Sequence, residues 1–339
     1  MARIRPFRAL RYDVPDLEAV VAPPYDVISA EERRMYLDRS PVNVVHLTLP
    51  ESEEQAANDL AAWQAEGVLV RDPEPSYWWL AQDYVGPDGV ERRREGFVAS
   101  LHAEPYEARV VLPHERTHAG PKEGRLRLLQ ATRTQLEPLF FLWEGTIEVD
   151  GLGEPDLQSG GDRLWRLDAE FGDALGEELQ DAQLLIADGH HRYETTLAFG
   201  EPWLLAVIVP TDQEGLTIFP THRVARSVNG ASGTPIERPG GELPGPVLYR
   251  GEGRYELLSG DGLDPEVVEA IHPEGVTYTP QRAEAEAAVG RGEAEGAFLL
   301  RPTRIEDVWK VAQRGDVMPQ KSTFFYPKLT SGLLMHPVD

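Results

Sequence analysis

Short apolar or alternating runs recur along the chain, and such runs predict strands. Trp203 to Val209 is apolar throughout, which predicts a strand buried on both faces. Tyr77 to Val85 and Val90 to His102 flank a Gly-Pro-Asp-Gly turn and predict a hairpin. A second hairpin is predicted over 247–258, and single strands over 42–49, 138–143, 163–167, 184–187, 216–219 and 297–300.

Helix starts are marked by capping residues. Ser29, Ser52 and Thr303 are each followed three residues later by Glu or Gln, which predicts a capping box and a helix at each place. Further helices are predicted over 123–134, 169–180, 264–271 and 282–289. Strands and helices mixed in this way predict an α+β fold with mixed sheets.

A segment rich in Gly, Pro and Ser at 227–246 predicts a linker. We therefore expect a main α+β domain over 1–226 and a smaller C-terminal α+β part over 247–339. The last part contains the segment MPQKSTFFYPKLTSGL, which we expect to return to the core of the main domain. A chain of 339 residues is long enough for two such units.

Composition narrows the range of functions. The formal net charge of −24 argues against general binding to nucleic acid or to an anionic membrane, because both need a cationic surface. Arg92-Arg93-Arg94 is accordingly interpreted as a solvated edge strand. The absence of cysteine excludes disulfides, thiolate catalysis and Cys-ligated metals. We expect a cytoplasmic protein, because the chain shows neither a signal core nor an apolar run that could span a bilayer.

The most informative stretch is Asp188-Gly189-His190-His191-Arg192, which follows the apolar run 184–187 and opens a helix-like segment. A strand that feeds a helix through Asp-Gly presents backbone N–H groups and basic side chains at one helix N-terminus, which is an anion site. Asp188 could hold a metal ion or accept a proton there. The alternative is that Asp188 only caps the helix and that the histidines lie on the surface.

A second dense region contains Glu115, Arg116, Lys122 and Arg125 between Gly and Pro residues. The basic residues could wrap a polyphosphate, and Glu115 could serve as a base or metal ligand. Its histidines do not have the spacing of a zinc site. The alternative is a flexible charged loop.

Three further segments carry candidate site residues. Tyr25 and Asp26 follow Pro-Pro on a stiff backbone, which suits either a binding loop or a structural turn. Arg223 lies in Pro-Thr-His-Arg at a strand end. Lys321, Ser322 and Thr323 lie in the C-terminal segment, which either closes over a substrate or is an apolar strand with snorkelling lysines. The glycines of a P-loop are absent before Lys-Ser-Thr, which excludes a Walker site.

Taken together, APPYDVI, HERT followed by GPK, IADGHHRYET, PTHR and MPQKSTFFYPKLTSGL resemble one widespread bacterial and archaeal family, long catalogued as a domain of unknown function. The central motif also resembles the signature of the ParB/sulfiredoxin fold group. Sulfiredoxins have a catalytic Cys where this chain has His190, so their chemistry is excluded. Free-serine kinases of archaea in the same group carry a similar Asp-Gly-His-His-Arg signature, which implies a ParB/sulfiredoxin-like core and nucleotide-dependent phosphorylation of a small hydroxyl compound.

This resemblance implies Mg²⁺ and either ATP or ADP as co-substrate. Asp188 would hold Mg²⁺ or act at the hydroxyl group, and Glu115 would be the base with Asp26 as second candidate. Tyr25 and the Lys321-Ser322-Thr323 segment would contact the substrate. The residues expected to bind the nucleotide phosphates are Gly189, His190, His191, Arg192, Arg223, Arg116 and Lys122. Two other classes stay open: a phosphatase or phosphodiesterase, and a nucleotide sensor without turnover.

Overall fold

The computed structural model describes residues 1–115, 117 and 119–338. It has an α+β fold, as predicted. The α-helices among these residues are Ala30–Arg39, Val45–Thr48, Glu53–Ala65, Ala119–Thr132, Ala169–Glu178, His190–Phe199, Asp264–Glu269, Arg282–Gly290 and Ile305–Arg314. Two short 3₁₀ helices lie at Tyr25–Val27 and Tyr106–Ala108.

A mixed sheet, here the central sheet, organises the larger part of the molecule. Its strands lie in the spatial order Val111–Leu112, Leu184–Asp188, Leu139–Trp143, Trp203–Pro210, Glu91–His102, Tyr77–Val85, Asp162–Leu167 and Leu157–Ser159, and Ile4–Arg5 also pairs with Glu91–His102. Leu184–Asp188 pairs parallel with Val111–Leu112 and antiparallel with Leu139–Trp143. The sheet is therefore mixed, as the sequence predicted.

The central sheet is buried on both faces. In strand Trp203–Pro210, Leu205 and Val207 join one apolar cluster, whereas Leu204 and Ala206 join a second cluster on the opposite face. Successive side chains of a strand point to opposite faces, so a continuous apolar run serves both cores. The predicted burial of this run on both faces is confirmed.

A second sheet of six strands has the order Thr234–Ile236, Tyr255–Leu257, Val247–Tyr249, Gly296–Leu299, His222–Ala225 and Thr277–Thr279. The predicted linker 227–246 therefore contributes a strand of its own, Thr234–Ile236. That strand lies at the sheet edge, where Pro235 is tolerated because no ladder hydrogen bond is needed on its outer side. His222–Ala225 also belongs to this sheet, although the sequence division placed it in the main domain.

Three short antiparallel pairs connect distant segments. Thr217–Phe219 pairs with Phe324–Tyr326, which ties the C-terminal segment to the chain that leaves the central sheet. The other two pairs are Leu10–Tyr12 with Leu69–Arg71, and His336–Pro337 with Thr134–Gln135. The pairing of Thr217–Phe219 with Phe324–Tyr326 brings the KSTFFYPK segment beside the central sheet.

Local sequence signals predicted several elements well. Ser29 forms a complete capping box with Glu32, and the side chain of Ser52 accepts a hydrogen bond from the backbone N–H of Gln55. The predicted hairpin is present as Tyr77–Val85 and Glu91–His102. The helix predicted after Thr303 is present as Ile305–Arg314, but the predicted cap at Thr303 is wrong. The hydroxyl of Thr303 donates to the carbonyl of Ser322 at 2.7 Å instead.

Two strand interpretations are corrected. Residues 42–49 contain the helix Val45–Thr48, because the side chain of Asn43 accepts from the N–H of Val45 at 3.0 Å and donates to the carbonyl of Ala19. Arg94 does not lie on a solvated edge. It is buried in Glu91–His102, which has a neighbouring strand on each side.

Candidate active site

The predicted anion motif folds as a strand, a turn and a helix. Leu184–Asp188 is a buried strand of the central sheet, and helix His190–Phe199 follows at once. Gly189 between them has φ of 97°, a left-handed conformation that glycine adopts without strain. The first backbone N–H groups of a helix have no partner within it, so this N-terminus can hold an anion.

A cavity of about 370 Å³ opens over this turn. It brings together segments that are far apart in the chain, including ten of the residues predicted for the site. These are Tyr25, Asp26, Glu115, Asp188, Gly189, His190, His191, Arg192, Lys321 and Thr323. The volume lies within the range of roughly 300–1,000 Å³ that is usual for small-molecule sites.

Asp188 is held between two cations. Its Oδ2 accepts a hydrogen bond from Nη2 of Arg192 at 2.7 Å, and its Oδ1 accepts from Nζ of Lys328. Burial by itself would raise the pKa of Asp188, but the charges of Lys328 and Arg192 outweigh it and hold the pKa well below the ordinary range. Asp188 is therefore ionised. It does not cap the helix, whose N-cap residue is Gly189.

Arg192 is tied to the backbone as well. Its Nη1 donates to the carbonyl of Pro138 at 2.6 Å, which fixes the guanidinium beside Asp188. Burial lowers the pKa of Arg192, but the nearby carboxylates, first Glu137 and then Asp188, raise it above its ordinary value. Arg192 is therefore a permanent, oriented cation at the cavity wall.

Two buried histidines pack beneath the turn. The backbone N–H of His114 donates to Nε2 of His190 at 3.3 Å, and the two rings lie 4.7 Å apart between centroids. Burial lowers the pKa of His114 to about 4 and holds that of His190 well below its usual value. Both rings are therefore neutral near pH 7, so His190 would meet a phosphate as a neutral group.

His114 orients one of the predicted substrate residues. Its Nδ1 lies 2.7 Å from the carbonyl of Ile186, which can only accept, so Nδ1 carries the proton. Its Nε2, 2.9 Å from Oγ1 of Thr323, then accepts from that hydroxyl. The hydroxyl proton of Thr323 points to His114, and the oxygen lone pairs of Thr323 are left to face the cavity.

Glu115 differs from Asp188 in its surroundings. Burial raises the pKa of Glu115, and the charge of Lys321 only partly opposes this effect. The backbone N–H of Lys321 lies 3.5 Å from Oε1 of Glu115. A half-buried carboxyl group with a raised pKa is suited to accept a proton.

Tyr25 is fixed at the cavity by its backbone and by its ring. Its N–H donates to Oε1 of Glu137 at 2.9 Å, and the guanidinium of Arg125 lies 4.0 Å from the ring centroid. Oε1 of Glu137 also accepts from the hydroxyl of Ser331 at 3.1 Å. Glu137 therefore joins the Tyr25 loop to the C-terminal segment, and Asp26 is exposed next to it.

Three predicted residues lie away from the cavity wall. Arg223 is buried in the second sheet and donates to the carbonyl of Pro265 at 3.1 Å. The hydroxyl of Ser322 donates to the carbonyl of Pro319 at 2.6 Å. Lys122 pairs with Glu194 at 2.7 Å. Arg116 lies outside the described residues.

Other cavity residues were not assigned from the sequence. Lys328 is the most important of them. Lysine is rare in this chain, with four residues in all, and this scarcity is the one sequence feature that could have pointed to Lys328. The edge of the second sheet supplies another wall, which local sequence could not indicate. The remaining unassigned polar and aromatic residues at the wall are Thr221, Tyr278, Thr279, Gln320 and Phe324.

The cavity is less acidic than the rest of the protein. Among the described residues, three cations and three carboxylates line it, so their formal charges balance, whereas the whole chain carries −24. The cations are Arg192, Lys321 and Lys328, and the carboxylates are Asp26, Glu115 and Asp188. Together with the helix N-terminus, this balance favours an anionic ligand.

The residues around Asp188 do not fit the expected magnesium site. Both oxygens of its carboxylate already accept hydrogen bonds from cations, which would repel a divalent ion. Across the described part of the chain, no group of three or more His, Asp or Glu side chains is arranged to hold a metal. In nucleotide enzymes, Mg²⁺ is held largely by substrate phosphates and water, so such a reaction does not require a cluster of protein ligands for this ion.

Comparison with known families shows which family the chain belongs to. Residues 4–237 match the family model described as "Protein of unknown function (DUF1015)". The chain belongs to this family. The resemblance read from its motifs is therefore confirmed, while the family description leaves the activity open. No curated protein sequence matches the chain.

Several solved structures are similar at low identity. A free serine kinase in complex with AMP is 17% identical, with a TM-score of 0.42, over 66% of this chain and 89% of that chain. SbnI with a C-terminal truncation, from Staphylococcus aureus, is 12% identical, with a TM-score of 0.46, over 71% and 87%. A conserved hypothetical protein from Pyrococcus furiosus is 18% identical, with a TM-score of 0.39, over 66% and 92%.

The described residues contain no helix that is both long enough and apolar enough to cross a membrane.

Proposed function

We propose that this protein is a nucleotide-dependent phosphotransferase that acts on the hydroxyl group of a small metabolite, with free serine as one candidate acceptor. The cavity carries this proposal, because a helix N-terminus, two lysines and a carboxyl group of raised pKa converge there. Phosphoryl transfer needs positive charge around the phosphates and a carboxylate that orients or deprotonates the attacking hydroxyl.

The phosphate end of the nucleotide would lie at the turn. The N–H groups that open helix His190–Phe199 would donate to phosphate oxygens, and Lys328 would supply positive charge beside them. Arg192 would stay with Asp188, because it is also bonded to the carbonyl of Pro138. Its role is to keep Asp188 in place when Lys328 turns to the ligand.

Glu115 would be the base. Asp188 is a poor candidate, because its low pKa and two ion pairs make it weakly basic. Asp26, the second candidate from the sequence, is exposed to solvent. Glu115 is half-buried, has a raised pKa and lies near Lys321, which could hold an acceptor's carboxylate.

The reaction would proceed by displacement at the terminal phosphorus. The acceptor's hydroxyl oxygen forms a bond to phosphorus, and its proton passes to the carboxylate of Glu115. The bond between phosphorus and the bridging oxygen breaks, and its electron pair leaves with the shortened nucleotide. Lys321 and Lys328, both at the cavity wall, would offset the charge on the transferred group.

Phosphorus NMR would test this proposal. The purified protein would be incubated in buffer containing Mg²⁺ with ATP or ADP, first with free serine and then with a pool of small hydroxyl metabolites. Parallel samples would carry Asp188→Asn and Asp83→Asn. Asp83 is a matched control, because it also contacts two cations, Arg93 and Arg163, but lies on the surface with 42% of its side chain exposed.

A phosphomonoester signal in the wild type and in Asp83→Asn, lost in Asp188→Asn that is folded by circular dichroism, would support the proposal, because Asp188 holds Lys328 at the cavity. A nucleotide that binds without turnover would contradict it and favour a sensor. Release of inorganic phosphate from a phosphorylated metabolite in the absence of nucleotide would also contradict it, and would indicate a phosphatase or phosphodiesterase.

A further inference from the structure

A row of three polar side chains crosses three neighbouring strands of the central sheet. Gln82 lies opposite Arg94 on one side and opposite Asp162 on the other. Nε of Arg94 donates to Oε1 of Gln82 at 3.1 Å, and Nε2 of Gln82 donates to Oδ1 of Asp162 at 2.8 Å. The amide of Gln82 thus links a buried cation to a buried anion. We name these three residues the polar row.

Each end of the polar row holds the C-terminal segment. Nη2 of Arg94 donates to the carbonyl of Pro327 at 2.8 Å, and the hydroxyl of Thr330 donates to Oδ2 of Asp162. Lys328 lies between these two anchors, and its Nζ reaches Asp188. The polar row is therefore bound to the chain on both sides of a cavity lysine.

The length of the polar row is close to the length of the segment from Pro327 to Thr330. Neighbouring strands lie about 4.8 Å apart, so a row across three strands is about 10 Å long. The three residue steps from Pro327 to Thr330 also cover about 10 Å when the chain is nearly extended. A segment of this length can therefore reach from one end of the row to the other.

Stability alone does not explain the polar row. Burial lowers the pKa of Arg94 to about 10, so its charge is unfavourable where it lies. Nη1 of Arg94 is also buried with no hydrogen-bond partner among the described residues. Apolar side chains of similar volume would usually make such a core at least as stable.

We propose that the polar row is a positioning device for Lys328. Arg94 and Asp162 lie outside the set of described residues that line the cavity, and they act by fixing the segment that carries this lysine. Their effect on catalysis rests on the proposed function, but their effect on the position of Lys328 does not. Displacing a charged group by about 1 Å can cost up to a hundredfold in rate.

The four lysines make a direct test practical. Lysine-selective ¹³C labelling gives one side-chain Cε signal for each, and single Lys→Arg variants assign them. Lys310, with 62% of its side chain exposed, supplies the reference for a solvated lysine. The test variant is Thr330→Val, which removes the hydroxyl at constant shape, and its conservative counterpart is Thr330→Ser.

A second variant, Arg94→Gln, tests the other anchor, and Arg93→Gln is its control. Arg93 is the adjacent residue, but it is exposed and pairs with Asp83 at the surface. If Arg94→Gln does not fold by circular dichroism, the two Thr330 variants decide the question by themselves.

We expect the Lys328 signal to move toward that of Lys310 in Thr330→Val and Arg94→Gln. It should keep its wild-type position in Thr330→Ser and Arg93→Gln. Turnover with nucleotide should fall about tenfold or more in Thr330→Val and return in Thr330→Ser. An unchanged Lys328 signal in folded Thr330→Val would overturn the inference. If the wild type shows no turnover, the proposed function fails, and the lysine signals still decide the role of the polar row.

Discussion

Nζ of Lys328 donates a hydrogen bond to Oδ1 of Asp188, although 140 residues separate the two in the chain. The other oxygen of Asp188 accepts from Arg192, so the carboxylate has two cationic partners. An anionic ligand that draws Lys328 to itself therefore leaves Asp188 with one counter-charge.

Removing the charge of Asp188 should destabilise the fold. The side chains of Lys328 and Arg192 are 18% and 11% exposed, and Asp188→Asn would remove the carboxylate that pairs with both. We expect a loss of about 3 kcal/mol in the free energy of unfolding, measured in urea. Asp83→Asn, at the surface, should cost less than about 1 kcal/mol. Equal losses in the two variants would contradict this account of Asp188.

Two lysines should differ in their effect on nucleotide binding. Lys328 lines the cavity, whereas Lys122 pairs with Glu194 away from its wall. We expect Lys328→Met to weaken the binding of ATP or ADP about tenfold or more, as for a lost hydrogen bond to a charged group. Lys122→Met should leave the affinity within about twofold, because a partly exposed ion pair contributes little. Calorimetry would measure both, and the reverse order would show that the phosphates lie elsewhere.

Glycines at the two ends of one helix provide another contrast. Gly189 and Gly200 both have positive φ, so alanine at either position should cost about 1–2 kcal/mol of stability. A Cβ at Gly189 would also lie 3.2 Å from Nη2 of Arg192, whereas a Cβ at Gly200 would meet nothing within 4 Å. We expect Gly189→Ala to impair nucleotide binding and Gly200→Ala to leave it intact. Similar affinities for both variants would argue against an anion site at this turn.

Stability should fall as pH is lowered from 6.5 toward 4. Burial lowers the pKa of His114 from 6.5 to about 4, so the unfolded chain takes up a proton in this range that the folded protein excludes. His190 acts in the same direction. Glu115 acts in the opposite direction, because a raised pKa favours the folded state when this group is protonated.

The histidine contribution can be isolated with His114→Gln. Urea unfolding at pH 7 and pH 5 should show a smaller pH dependence in the variant than in the wild type, whatever its stability at pH 7. The same dependence in both proteins would mean that His114 does not titrate as described.

The strand, turn and helix around Gly189 could be predicted because their signals are local. An apolar run predicts the strand, and a glycine that can take positive φ predicts the turn. The Ser29 and Ser52 caps are local in the same sense, since each acts within one helical turn. These features need no knowledge of the rest of the fold.

Other features depend on tertiary contacts that the sequence does not display. Residues 42–49 resemble a strand in composition, but Asn43 bonds to Ala19 and to the N–H of Val45 and starts a helix. Lys328 lies between Pro327 and Thr330, whose hydrogen bonds to Arg94 and Asp162 cross more than 160 positions of the chain. Buried Arg94 resembles partly exposed Arg92 and exposed Arg93 in sequence, and only its contacts with Gln82 and Pro327 distinguish it.

The cavity wall formed by the second sheet could not be predicted from the sequence either. Tyr278 and Thr279 lie on an edge strand that no local pattern marked as part of a site. Conversely, Arg223 carried a suggestive motif, but its strand places it inside the second sheet, bonded to Pro265. Chemistry-bearing residues can be recognised in sequence, but their convergence is a property of the fold.

The central claim is that Glu115 takes the acceptor's proton in a phosphoryl transfer. Its carboxyl group lines the cavity, and burial raises its pKa above the ordinary value of 4.5. The acid limb of the pH–rate profile should therefore lie above pH 4.5 in the wild type, because the base must be ionised to act.

The most direct measurement compares Glu115→Gln with the wild type for nucleotide affinity by calorimetry and for phosphomonoester formation by phosphorus NMR. We expect the affinity to stay within about threefold and turnover to fall by about a hundredfold or more, as for the loss of a general base. Full turnover in Glu115→Gln, or a wild type that binds neither ATP nor ADP, would contradict the account.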